Sequence, residues 1–145
     1  MSAGDEGGGW RLAALEGDGG EFMLRSRLRL PDPAERARLP VAVWISWNWG
    51  DIASEAEEDA VLDEMIAFEN AAYTAAEPDG WARLMAVRTS GEGREWLWYA
   101  ASRDGFVADL KDALADCPTY PFEVRAWDDP QWNAARDLDP RGFMH

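Results

Sequence analysis

The chain has 145 residues, of which 28 are acidic and 14 are basic, so its formal net charge is -14. This charge argues against nucleic acid and anionic membranes as partners, because both are bound through basic surfaces. The length predicts one domain with an ordinary core. We place it at residues 10–132, between a disordered tail at 1–9 and a C-terminal tail at 133–145.

Residues 1–9 are rich in glycine and lack an apolar run, so we expect neither a signal peptide nor a membrane anchor. Cys117 is the only cysteine, which favours a reducing, cytoplasmic location. The only histidine, His145, is the last residue. The chain therefore lacks the usual side chains of nucleophilic and metal chemistry, and we expect no catalytic activity, metal or cofactor.

The first predicted element is a hairpin, in which residues 10–16 and 21–30 flank a Gly17-Asp18-Gly19-Gly20 turn. Its second arm alternates apolar residues with a row of three arginines, Arg25, Arg27 and Arg29. Three prolines then bracket a short polar connection at residues 31–40. Residues 41–49 predict the clearest strand, with apolar side chains at the odd positions and Trp44 on the opposite face.

A capping box of Ser54 and Glu57 predicts a first long helix that extends to about Tyr73. Its apolar stripe follows helical spacing apart from Glu69. Residues 81–89 and 94–101 predict a second hairpin around the Ser90-Gly91-Glu92-Gly93 turn. Asp104 is expected to cap a second helix, and residues 122–127 form a last strand before a short helical or irregular tail.

From residue 41 onward the predicted order is strand, helix, strand, strand, helix, strand. This order is typical of an α+β, ferredoxin-like split βαβ sandwich. We expect two helices on one face of an antiparallel sheet, widened by the N-terminal hairpin. The other face of the sheet is called the open face below.

Side-chain alternation predicts which tryptophans lie on the open face. Pairing Thr89 with Arg94 places Trp96 and Trp98 on the same face as Arg83, whereas the opposite face holds smaller, uncharged residues. An unpaired buried arginine is very costly, so we expect the smaller set beneath the helices. The candidate partner-binding residues on the open face are then Trp44, Arg83, Trp96, Trp98 and Trp127.

Three interpretations of these indoles stay open. They form a partner-binding face, on which Arg83 and the arginine row stack. Alternatively, they form a second minor core that the N-terminal segment or the tail covers. A homodimer through the open face is the third interpretation.

The other candidate surface is acidic. Residues 54–79 contain nine carboxylates and no lysine or arginine. The carboxylates of the first turn suit the helix dipole, but Asp63, Glu64 and Glu69 lack that local explanation. They are therefore candidate contacts for a basic partner, the alternative being an ordinary solvated face.

Two segments are similar to a known family. Thr89-Ser90-Gly91 followed by residues 93–99 resembles a hairpin motif of the bacterial domain-of-unknown-function family 695, and Tyr120-Pro121 with Asp129-Pro130-Gln131-Trp132 resembles its closing signature. The chain departs from that signature at Ala135, where an aromatic residue is expected. The resemblance implies an α+β fold related to the B-type regulators of ribonuclease E activity, which are acidic inhibitors.

The sequence thus predicts a cytoplasmic, non-catalytic module that binds a protein partner. In a narrower version, it is an inhibitor or immunity-type protein that neutralises a basic partner. One alternative is a small-molecule binder or hydrolase that uses an aromatic cleft with carboxylates, and another is a structural homodimer.

Overall fold

The computed structural model describes residues 9–17, 20–50 and 52–136, which form six strands and four helices. The strands are β1 (Trp10–Gly17), β2 (Gly20–Arg27), β3 (Val41–Asn48), β4 (Ala82–Ser90), β5 (Gly93–Ala100) and β6 (Glu123–Asp128). The helices are α1 (Pro33–Arg38), α2 (Glu55–Asp79), α3 (Arg103–Ala113) and α4 (Asn133–Arg136).

The sheet is antiparallel throughout, and its strand order is β1-β2-β4-β5-β3-β6. Strands β4, β5, β3 and β6, with α2 and α3, have the order and connections of a ferredoxin-like sandwich. The N-terminal hairpin pairs through β2 with β4 and widens the sheet. The predicted α+β architecture is therefore confirmed.

The structure has one helix that was not predicted and two helix boundaries that differ from the predictions. The polar connection after β2 contains α1, because Asp32 caps it and Pro33 occupies its first turn. Helix α2 continues to Asp79 and ends at Gly80, whose φ of 70° suits glycine and whose N–H donates to Ala76 O. Helix α3 is capped by Ser102 rather than by Asp104.

An irregularity in β4 between Leu84 and Ala86 changes which side chains share a face. Thr89 pairs with Arg94 and Val87 with Trp96, as predicted, but Trp98 pairs with Leu84 instead of Met85. Because a bulge adds one residue to one strand, the side-chain alternation reverses there. Leu84 therefore joins Val87 beneath the helices, and Met85 lies in the opposite core.

The sheet separates two hydrophobic cores. The core beneath α2 and α3 contains Trp96 and Trp98, and both side chains are 0% exposed. The prediction that they lie on the open face is therefore wrong. The bulge is the physical reason, because the small Ala82 and the aliphatic Leu84 pack beside the indoles while Arg83 takes no part in this core.

Candidate functional site

Residues 129–136, called the C-terminal segment below, pack on the open face. The Trp132 indole stacks on the Tyr99 ring with centroids 3.8 Å apart, and its Nε1 donates to Leu39 O at 2.9 Å. Trp132 is fully buried, and Ala135 packs in the same core. Of the three interpretations of the open face, the structure therefore matches the second minor core covered by the tail.

Asp129 holds this cover in place. Its buried carboxylate accepts the Tyr99 hydroxyl at 2.6 Å and the backbone N–H groups of Asn133 and Ala134 at the start of α4. The Tyr99 hydroxyl in turn accepts the Ala135 N–H. Burial raises the pKa of Tyr99, and the hydrogen bond to Asp129 adds to the shift. Asp129 and Trp132 therefore have a structural role.

Replacing Tyr99 by phenylalanine is expected to destabilise the fold by about 1–3 kcal/mol at neutral pH, because buried Asp129 loses a hydrogen-bond donor. The Tyr99 pKa is higher in the folded than in the unfolded protein. Tyr99 therefore contributes its full stability below the tyrosine pKa of the unfolded chain, and this contribution is lost as the pH rises from there toward the folded-state pKa. The difference in unfolding free energy between the wild type and the variant should therefore narrow above about pH 10. Urea titrations at pH 7 and above pH 10 measure both effects, and a constant difference would contradict the role of Tyr99.

Trp44 and Trp127 do lie on the open face, where both are half-buried. The Trp44 Nε1 donates to Glu95 Oε1 at 2.9 Å, and the Arg125 guanidinium lies 5.2 Å from the Trp44 ring centroid. The polar group and one ring face of Trp44 therefore already have partners within the chain.

The predicted stacking on open-face indoles is wrong for two members of the arginine row. Arg25 and Arg27 instead lie over the Trp10 ring, with the guanidinium carbons 5.2 and 4.4 Å from its centroid. Arg83 hydrogen-bonds to Glu35 and lies 3.5 Å from Glu77. Burial opposes the charge of Arg83, but Glu35 and Glu77 outweigh it and raise its pKa.

Two carboxylates of α2 face the sheet, and Glu69 is the more buried of them. Its carboxylate accepts hydrogen bonds from Arg25 Nη2 at 2.5 Å and from Trp96 Nε1 at 2.8 Å. The Arg94 Nη2 lies 3.8 Å from Glu69 Oε1. Burial lowers the pKa of Arg94, and the neighbouring charge of Arg25 contributes. Glu77 pairs with Arg27 at 2.9 Å. The prediction that Glu69 faces outward is therefore wrong, because α2 turns it toward arginines of the sheet.

The remaining carboxylates in the first half of α2 are exposed, and we call them the acidic α2 face. They are Glu55, Glu57, Glu58, Asp59, Asp63 and Glu64. None of them forms an ion pair with any residue that the structure describes. The Glu57 N–H donates to Ser54 Oγ, so Ser54 caps α2 as predicted. The Glu57 side chain accepts the Ala53 N–H rather than the Ser54 N–H that would close a capping box.

A groove of about 390 Å³ lies beside the acidic α2 face, at the end of β3. We call it the β3–α2 groove. Asn48 and Trp49 contribute one side, Val61 and Glu64 of α2 another, and Glu123 at the start of β6 a third. Burial raises the pKa of nearby Tyr120, and Cys117 and Glu64 add to the shift. The groove brings predicted residue Glu64 together with Glu123 and Trp49, which the sequence analysis did not select.

Two classes of site have no candidate in residues 9–17, 20–50 and 52–136. No three of their histidine, cysteine, aspartate and glutamate side chains are grouped closely enough to hold a metal ion. None of their helices is both long enough and apolar enough to cross a membrane.

The comparisons with known proteins identify one family. A search of the curated proteins gave no match. A family model described as "Family of unknown function (DUF695)" matches residues 9–138, which is most of the chain and includes both segments of the sequence resemblance. The chain therefore belongs to the DUF695 family.

Proposed function

We propose that this protein is a non-catalytic, cytoplasmic module that binds a basic protein partner through the acidic α2 face. The supporting observation is how the charges of α2 are compensated. Glu69 and Glu77, which face the sheet, are paired with arginines, whereas the six outward carboxylates have no cation among the described residues. A partner with lysines or arginines supplies the missing positive charge.

The position of these carboxylates favours this proposal over simple solvation. The helix dipole stabilises Glu55, Glu57 and Glu58 in the first turn, but Asp63 and Glu64 lie beyond its reach. Glu55 and Asp59, and Asp59 and Asp63, are like-charged pairs four residues apart, each of which costs about 0.2–0.5 kcal/mol. A basic partner relieves this repulsion.

The proposed contact surface is separate from the open face. Trp96, Trp98 and Trp132 are buried, so they are not available to a partner in this fold. An inhibitor or immunity-type role is the narrower version of the proposal, since such a protein covers the basic surface of its target. The relation to the B-type regulators of ribonuclease E activity stays a prediction.

One observation favours a second candidate function. The β3–α2 groove is concave and combines Trp49 with Glu64 and Glu123. Small-molecule sites are typically concave and combine apolar surface with a few polar groups, and a small cation could contact both the carboxylates and the indole. Comparing the affinity of free arginine amide with that of an arginine-containing peptide separates this candidate from a protein partner.

The proposal predicts that charge reversal on the acidic α2 face abolishes partner capture. The variant Asp59→Lys/Asp63→Lys/Glu64→Lys is compared with Asp112→Lys/Asp116→Lys/Asp128→Lys, in which the three exposed residues lie elsewhere. Both variants make the net charge less negative by the same amount. Immobilised proteins are incubated with native lysate at low and high salt, and the captured proteins are identified by mass spectrometry.

The expected result is a basic protein that the wild type and the control capture at low salt, that the α2 variant captures at least tenfold less, and that high salt releases. Equal capture by both variants would contradict the proposal. So would a captured partner that is itself acidic.

A further inference from the structure

We infer that the β3–α2 groove is a binding site for an arginine side chain of the partner protein. This inference rests on the proposed function and deepens it, because it assigns one pocket and one chemical group to the contact. The groove adjoins the acidic α2 face through Glu64, which belongs to both. A chain docked along that face therefore passes the mouth of the groove.

Unpaired backbone of β3 borders the groove. Strand β6 begins at Glu123, opposite Ser46, so none of the strands that the structure describes lies beside Asn48 on that side. The Trp49 N–H donates to Glu92 O on the β5 side. Because backbone groups of successive strand residues point to opposite sides, the Asn48 N–H and C=O point away from β5, toward the groove.

The two charged groups of the groove are carboxylates, which only accept hydrogen bonds. The Glu64 and Glu123 side chains are exposed and come from different elements, and Asn48, whose backbone C=O is a further acceptor, lines the groove with them. A guanidinium group carries five N–H donors and no acceptor, so it can satisfy two carboxylates and a carbonyl together. An ammonium group has three donors and a more compact charge, which makes lysine the poorer fit.

The apolar side of the groove suits the rest of an arginine side chain. Val61 and Trp49 are half-buried lining residues, and they offer apolar surface to the three methylene groups of the stem. Charge adds selectivity. Among the described residues no lysine or arginine lines the groove, and residues 52–80 contain none, so none of the positive charges that the structure describes competes there with an incoming cation.

The test uses the peptide N-acetyl-Gly-Gly-Arg-Gly-Gly-amide. Its lysine analogue keeps the charge, and its citrulline analogue keeps the shape without the charge. Binding is followed by titration in ¹⁵N-resolved NMR spectra, with the amide signals of residues 48–50 as the local readout. The arginine peptide is expected to bind at least about tenfold more tightly than the citrulline peptide, because a charged donor strengthens each hydrogen bond.

Matched variants locate the site. Glu64→Gln/Glu123→Gln keeps the groove's shape and removes two charges, and it should lower the affinity for the arginine peptide about tenfold. Asp59→Asn/Asp63→Asn also removes two charges, but neither residue lines the groove, so the loss should be threefold or less. Equal losses in the two variants, or equal affinity for the arginine and citrulline peptides, would overturn the inference.

The experiment also separates the two proposals. If the peptide binds as expected but charge reversal on the acidic α2 face leaves partner capture intact, the groove site stands and the proposed function fails. If partner capture is lost but the arginine and citrulline peptides bind with equal affinity, the proposed function stands and the groove site fails. Free arginine amide that binds more tightly than the peptide would assign the groove to a small molecule and overturn the inference.

Discussion

Replacing Trp132 by alanine is expected to destabilise the protein by about 3–5 kcal/mol, the usual cost of truncating a fully buried tryptophan. The substitution removes the stack on Tyr99 and the hydrogen bond to Leu39 O, and it uncovers apolar side chains of the open face. Urea denaturation followed by circular dichroism measures the loss. Binding of a hydrophobic dye measures the exposure of the face.

Two further variants make this result specific. Trp132→Phe keeps an aromatic ring over Tyr99 and loses the Nε1 donor, so it should lose less stability than Trp132→Ala. Trp44→Ala removes a half-buried indole from the same face and should also cost less. If Trp132→Ala were no more destabilising than Trp44→Ala and bound no more dye, the C-terminal segment would not be what covers the face.

Local signals in the sequence predict much of the fold. The glycine-containing turn at residues 90–93 sets the register of β4 and β5 near the turn, and both Thr89–Arg94 and Val87–Trp96 pair as expected. Alternation in β3 places Ile45 and Trp47 in the helix-side core and leaves Trp44 on the other face. These predictions succeed because turn chemistry and two-residue periodicity are local properties.

The faces of Trp96 and Trp98 were predicted wrongly because the alternation does not continue along β4. The irregularity lies between Leu84 and Ala86, in a run of small and apolar residues without a glycine or proline to mark it. A one-residue offset exchanges the faces of all side chains beyond it. Arg83 does lie on the open-face side of β4, opposite Tyr99, but it pairs with Glu35 and Glu77 on helices rather than with an indole.

The prediction that Glu69 faces outward was wrong, although the sequence contained a signal against it. Glu69 interrupts an otherwise apolar stripe at helical spacing, in which Met65, Phe68 and Ala72 are buried. A carboxylate at such a position faces the core and requires donors. The row of arginines in β2 supplies one of them, because β2 lies next to β4 in the sheet. Only the strand order, which the local patterns do not determine, brings Arg25 to Glu69.

Replacing Glu69 by alanine is therefore expected to cost about 3–5 kcal/mol, since breaking a buried pair leaves its cations uncompensated. The Arg94 and Glu69 side chains are only 14% and 12% exposed, and Arg94 has two buried nitrogens without a hydrogen-bond partner even with Glu69 in place. The Trp96 Nε1 would also lose its acceptor. The exposed Asp63→Ala on the same helix should change the unfolding free energy by less than about 0.5 kcal/mol.

A double variant tests the cause. If uncompensated charge dominates the loss, Glu69→Leu/Arg94→Leu should be more stable than Glu69→Leu alone, because it removes one of the stranded guanidinium groups. Amide hydrogen exchange adds a local readout. Arg25 and Arg27 pair β2 with Glu69 and Glu77, so Glu69→Ala should reduce protection in β1 and β2 more than in β3. If the second substitution restored nothing and protection fell uniformly, the loss would reflect packing around Phe68 and Trp96 rather than the ion pairs that join the hairpin to α2.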